Sequence, residues 1–167
     1  MKIYFAQIMD NLAYYEHEKK IADMLEADGH EIYFPWRDEG VIFEDQSTLQ
    51  DTLKTFNHDV EHIKWCDAMI AYIDGDDPGT AVEAGIAYAL GKPVALYATE
   101  FQKLHRGSDI SKIYPLDVLP ANSHQYWITA NEPLINNMLL GVSNKTVLNT
   151  PDEIIDWVNS LHIDDGV

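Results

Sequence analysis

Short runs of β-branched or aromatic residues alternate along this chain with longer stretches in which apolar residues recur every three or four positions. That alternation predicts an α/β domain built on a mainly parallel sheet. Residues 2–6 read as a first strand. Over 12–28 the apolar positions Ala13, Ile21, Met24 and Leu25 follow helical spacing, and Gly29 supplies a stop. Residues 32–34 read as a second strand. After a glycine-containing loop, 47–65 sets Leu49, Leu53, Phe56, Val60 and Ile63 along one helical face, with Asp59 on its border. The run 68–73 is nearly all apolar, as expected of a central strand buried on both sides.

An acidic turn from Asp74 to Gly79 then leads into a helix over 80–90 and a strand over 93–97. In open α/β sheets ligands bind beyond the carboxyl ends of the strands, so this turn sits where a site belongs. Over 100–132 neither period holds, and Arg106-Gly107-Ser108, Pro115 and Pro120 mark an irregular insertion, a surface excursion suited to a lid. A last strand is expected at 145–148 and a last helix at 151–161, with Thr150 as cap and Pro151 in the first helical position. The expected architecture is a flavodoxin-like (Rossmann-type) three-layer sandwich around a mainly parallel five-stranded sheet. It forms a single domain over 1–167.

Composition narrows the partners. A length of 167 residues with 46% hydrophobic content fits one core. The formal charge of −17 opposes nucleic acid and anionic membrane surfaces, and with only Arg37 and Arg106 as forked phosphate donors a small neutral substrate is easier to hold. Acidity alone can equally serve only solubility. The single cysteine, Cys66, excludes an internal disulfide and reads as a small buried apolar residue. The chain enters its first strand directly and contains no apolar run long enough to span a bilayer, so a cytoplasmic protein is expected.

Candidate chemistry rests on carboxylates. Glu83 is the one charged residue on a helix that is otherwise small or apolar, so it must find partners, hold its proton more tightly, or open into a cleft. The bland reading is a partly exposed glutamate favoured by the helix dipole. Asp77, followed by Pro78, has the order of a helix cap, although its crowding with Asp74 and Asp76 suits acceptors for sugar hydroxyls. No phosphate-loop glycine pattern is present. His58 and His62 stand one helical turn apart and Asp59 offers an oxygen, but without an H-E-x-x-H signature such a pair is more often solvated than metal-bound. No metal is expected. Serine and cysteine nucleophiles lack their motifs.

These pieces together resemble the nucleoside 2-deoxyribosyltransferases and their relatives, the deoxynucleoside monophosphate glycohydrolases. Lys2-Ile3-Tyr4-Phe5-Ala6 is similar to the opening strand whose tyrosine holds the nucleophile, and Phe56-Asn57-His58-Asp59-Val60 to the helix bearing an aspartate beside the base. Asp77-Pro78-Gly79-Thr80-Ala81-Val82-Glu83-Ala84-Gly85 is similar to the family's D-x-G-x-x-x-E signature. Asn136-Asn137-Met138-Leu139-Leu140-Gly141-Val142 is similar to N-x-M-x-x-G-V, whose asparagine completes a neighbouring subunit's site.

The resemblance implies transfer of 2-deoxyribose between nucleobases, with Glu83 attacking the anomeric carbon and Asp59 exchanging a proton with the base. Tyr4 would orient Glu83, while Asp77, Gly79 and Asn136 line the sugar. It implies no cofactor, a deoxynucleoside and a free nucleobase as partners, and a homo-oligomer. Where the family has glycines and aromatics after the first strand, this chain has Gln7-Ile8-Met9-Asp10, which leaves base preference open. On the base side, Trp36 offers stacking or plain packing and Glu39 offers hydrogen bonding. Asp77 in place of a small hydroxyl residue disfavours a 5′-phosphate. Hydrolysis of a deoxynucleoside or deoxynucleotide is the nearest alternative, and a non-catalytic nucleoside- or nucleotide-sensing domain is another.

Overall fold

The computed structural model describes residues 1–7, 9, 12–40, 48–74, 77–98 and 137–161. Five strands, β1 (Lys2–Ala6), β2 (Glu31–Tyr33), β3 (Ala68–Tyr72), β4 (Val94–Tyr97) and β5 (Val147–Leu148), form one sheet in the order β2-β1-β3-β4-β5. Every pairing is parallel. The strand order reverses between β1 and β3, which opens a crevice at their carboxyl ends. Six helices accompany the described strands: α1 (Leu12–Ala27), α2 (Pro35–Asp38), α3 (Leu49–Trp65), α4 (Pro78–Ala89), α5 (Asn137–Val142) and α6 (Pro151–Ser160).

Alternation along each strand divides the core in two. Ile3, Phe5, Ile32, Ile70, Tyr72 and Tyr97 pack with Ile21 and Leu25 of α1 and with Ile154 and Val158 of α6. Tyr4, Ala6, Tyr33, Met69, Ala71 and Leu96 pack on the opposite face with Ile63 of α3, Ala84 and Ala87 of α4 and Leu140 of α5. Small residues let α4 lie close to the sheet, which brings the rest of that helix over β1 and β3. Cys66 is buried and free, as its composition suggested.

The local signals work as expected at several ends. Gly29 takes φ +91° just past α1, a conformation that favours glycine. Thr150 caps α6 by accepting from the Glu153 backbone N–H at 3.2 Å, with Pro151 in the first turn. Thr48 and Asp51 close a reciprocal capping box on α3.

Three expectations change. The stretch after β2, read as a loop, contains the single-turn α2, because Pro35 starts it and Asp38 accepts from the Phe34 backbone N–H at 2.8 Å. The apolar stripe of α3 is buried only near its end: Ile63 is fully enclosed, whereas Leu49 is 77% and Phe56 51% exposed. Its first turns find no core among the described residues. Likewise α4 is not enclosed all round, since Val82 and Tyr88 are exposed on its outer side. The 100–132 insertion lies outside the described residues.

Candidate active site

The crevice at the β1/β3 switch point collects side chains from four elements. Tyr4 points from β1 toward the α3/α4 layer and is fully buried. Its hydroxyl donates to Glu83 Oε1 at 2.8 Å. Glu83 stands on the second turn of α4, half-buried beside the small residues that seat the helix. Loss of solvation pushes its carboxyl up to about 7, the Tyr4 hydrogen bond opposes this, and the negative charges of Asp59 and Asp77 add to the rise. Near neutral pH the group therefore exists in both forms, one able to attack and one able to hold a proton.

Asp59, half-buried on α3, accepts from the Tyr33 hydroxyl at 3.4 Å. Burial raises its carboxyl above the ordinary range, and hydrogen bonds from Tyr4 and Tyr33 oppose the rise. Tyr4 thus bears on both carboxylates, donating to Glu83 and favouring the ionised form of Asp59. Its own hydroxyl is held far above its usual pKa by burial and by Glu83 and Asp59, so it remains a donor.

Asp77 acts as the α4 cap: Oδ1 accepts from the Gly79 backbone N–H at 3.2 Å, and Oδ2 from the Thr80 backbone N–H at 2.8 Å and hydroxyl at 2.7 Å. The bland reading of this aspartate is correct as far as its contacts go, and its charge still reaches Glu83. Gly79 has a steric reason, because a Cβ there would come within 3.2 Å of Asp77 Oδ2. Asn136 lies outside the described residues.

Of the two base-side candidates, the structure brings one to the site. Glu39 contacts the Tyr33 hydroxyl and His58 Nδ1. Trp36 goes the other way, packing against the α1-side core with its ring edge-on to Tyr15 at 5.3 Å. It is a packing residue in this arrangement.

Tyr33 is the residue that sequence reading missed. It pairs in register with Tyr4, their rings 5.2 Å apart, and its hydroxyl faces Glu39, His58 and Asp59. The available signal was the alternation Glu31-Ile32-Tyr33, which turns Tyr33 to the same face as Tyr4 once the two strands are parallel neighbours.

An α/β domain with a tyrosine-held, proton-retaining glutamate at the topological switch point, faced by a second carboxylate, defines a site suited to displacement at a sugar carbon. The sequence profile described as nucleoside 2-deoxyribosyltransferase matches residues 3–147. The chain belongs to that family. A solved 2-deoxyribosyltransferase from Bacillus psychrosaccharolyticus is 36% identical, with TM-score 0.53, over 59% of this chain and 72% of that one. A conserved protein from Enterococcus faecalis V583 shares the fold at 20% identity and TM-score 0.68, covering 95% of this chain and 96% of that one. A CMP N-glycosidase from Clostridium botulinum does so at 16% identity and TM-score 0.54, covering 95% and 99%. No curated protein gives a significant match. Among the described residues, no helix is long and apolar enough to cross a membrane.

Proposed function

We propose that this protein transfers 2-deoxyribose from one nucleobase to another through a covalent deoxyribosyl-Glu83 intermediate. The observation that carries this reading is the Tyr4–Glu83 hydrogen bond, which aims a partly desolvated carboxylate in the crevice. Glu83 attacks C1′ of the deoxynucleoside; the C1′–N bond breaks with its electrons passing to the base, which takes a proton from Asp59. An incoming base then attacks C1′ and gives its N–H proton to Asp59, and the ester electrons return to Glu83. Two displacements replace one difficult step. Tyr4 keeps Glu83 in place throughout, Glu39 recognises the base edge, and Asp77 with Gly79 forms the rim on the sugar side.

A homo-oligomer in which Asn136 completes a neighbouring site is part of the same reading. The exposed stripe of Leu49, Leu53 and Phe56 on α3 supports a second copy as its cover. Asn136→Ala should then impair turnover, and a fully active monomer would contradict the shared site.

Incubation with deoxyinosine or thymidine, with and without adenine or cytosine, tests the transfer. A new deoxynucleoside that forms only with the added base supports it. Release of free base alone would make the protein a hydrolase, and no change with any pair would move the reading to a phosphorylated substrate or a sensor.

A further inference from the structure

The displacement chemistry leaves His58 and His62 without a part to play. From sequence the two histidines had only Asp59 as a neighbouring oxygen. The fold supplies a different third group, because α2 turns the chain after β2 so that Glu39 meets α3. One ligand atom each from Glu39, His58 and His62 lies within 4.8 Å of the others. Two imidazoles and one carboxylate are the three-ligand set of open zinc sites, with a fourth position left for an exchangeable ligand.

The ring positions are fixed by contacts that a metal ligand needs. His62 Nδ1 lies 2.9 Å from the His58 backbone carbonyl, which can only accept, so Nδ1 carries the proton and Nε2 keeps its lone pair. The ring itself lies flat on Tyr33, with centroids 3.6 Å apart. His58 Nδ1 faces Glu39 and lies 3.3 Å from the Tyr33 hydroxyl. Charge points the same way. Asp59 stands next to His58 in the chain and accepts from the Tyr33 hydroxyl at 3.4 Å, so the wall that carries the two histidines is acidic. Among the described residues no lysine or arginine pairs with Glu39, Asp59, Glu83 or Asp77.

We propose that Glu39, His58 and His62 bind one divalent transition-metal ion of the zinc class on the Tyr33 wall of the crevice. This goes beyond the transfer reading and is tested by binding alone; with an ion bound, Glu39 serves as its ligand in place of a direct contact with the base edge.

The test is calorimetric titration of Zn²⁺ into the chelator-treated full chain at about pH 7.5. One ion per chain is expected, with affinity weakened at least tenfold, to about a hundredfold, in His58→Ala and in His62→Phe. The phenylalanine keeps an aromatic ring against Tyr33, so a folding defect is separated from loss of the ligand by circular dichroism. Cobalt(II) should give the intense visible bands of a low-coordinate site in the parent chain and not in the double variant His58→Ala, His62→Phe. Absence of saturable zinc binding would overturn the proposal and leave a histidine–carboxylate contact. Equal binding by the parent and the double variant would overturn it too, by placing the ion elsewhere on the acidic surface.

Discussion

Each face of the sheet hides a carboxyl group, and the two are put to different use. On the α3/α4 face Glu83 is half-buried, receives a hydrogen bond from Tyr4 and is pushed up to about 7. On the α1/α6 face Glu18 is fully enclosed, and burial pushes it up to about 8. With the Gln7 amide oriented by its neighbours, its nitrogen donates to Glu18 Oε2 at 3.1 Å while its oxygen accepts from the Trp36 backbone N–H at 3.3 Å. Among the described residues Glu18 Oε1 has no partner. Desolvation does the same thing to both groups. In the proposed mechanism access and a positioned hydroxyl make one of them a reagent, while the other only ties stability to pH.

The contrast breaks most sharply under substitution. Glu83→Gln keeps size and hydrogen bonding but cannot attack, so turnover should fall by about a thousandfold or more with the fold intact. Glu18→Gln should leave turnover within about twofold. Initial rates of base exchange, alongside near-ultraviolet circular dichroism, check both. Equal losses in the two variants would mean that the faces are not functionally distinct.

The pH profile sharpens the comparison next. A nucleophile must be ionised, and Glu83 loses its proton at about 7, so kcat/KM should fall about tenfold per unit as pH drops below that value. In Tyr4→Phe the hydroxyl that favours the ionised carboxylate is gone, so this limb should move to higher pH and the rate at neutrality should drop by about tenfold. A limb that stays in place would separate Tyr4 from the ionisation of Glu83.

Stability carries the Glu18 signature. Its carboxyl is raised from 4.5 unfolded to about 8 folded, so between these values the unfolded chain has lost a proton that the native one retains. Stability is therefore full below the lower value and declines as pH rises toward the upper one. Glu18→Gln should flatten that decline and raise Tm at about pH 8 by several degrees, read by thermal unfolding across the range. The smallest effect concerns Asp77: replacing it with alanine removes the α4 cap, at a cost of about 1 kcal/mol in urea unfolding.

Much of this architecture was legible in the sequence because it is written in local periods. Strand alternation, the Gly29 stop and the Thr150-Pro151 start each depend on neighbouring residues and hold in the structure, whereas of the α1 stripe Ile21 and Leu25 are buried and Ala13 is exposed. The residues Tyr4, Asp59 and Glu83 were named through the resemblance to the family's motifs, and the fold brings them together. What local pattern could not carry was which way a side chain turns once strands are ordered. Trp36 and Glu39 stand three residues apart in one short segment, yet one packs beneath α1 and the other meets α3.

The sequence by itself thus determined an α/β domain, its parallel sheet and a carboxylate on a helix of small residues. Those features follow from the hydrophobic period and from the size of side chains. Only the tertiary structure decided that Tyr33 stands beside Tyr4, that Glu39 joins His58 and His62, and that Glu18 is sealed while Glu83 is open. Such relations join residues far apart in the chain, and they exist only once a parallel sheet has set strand order and register.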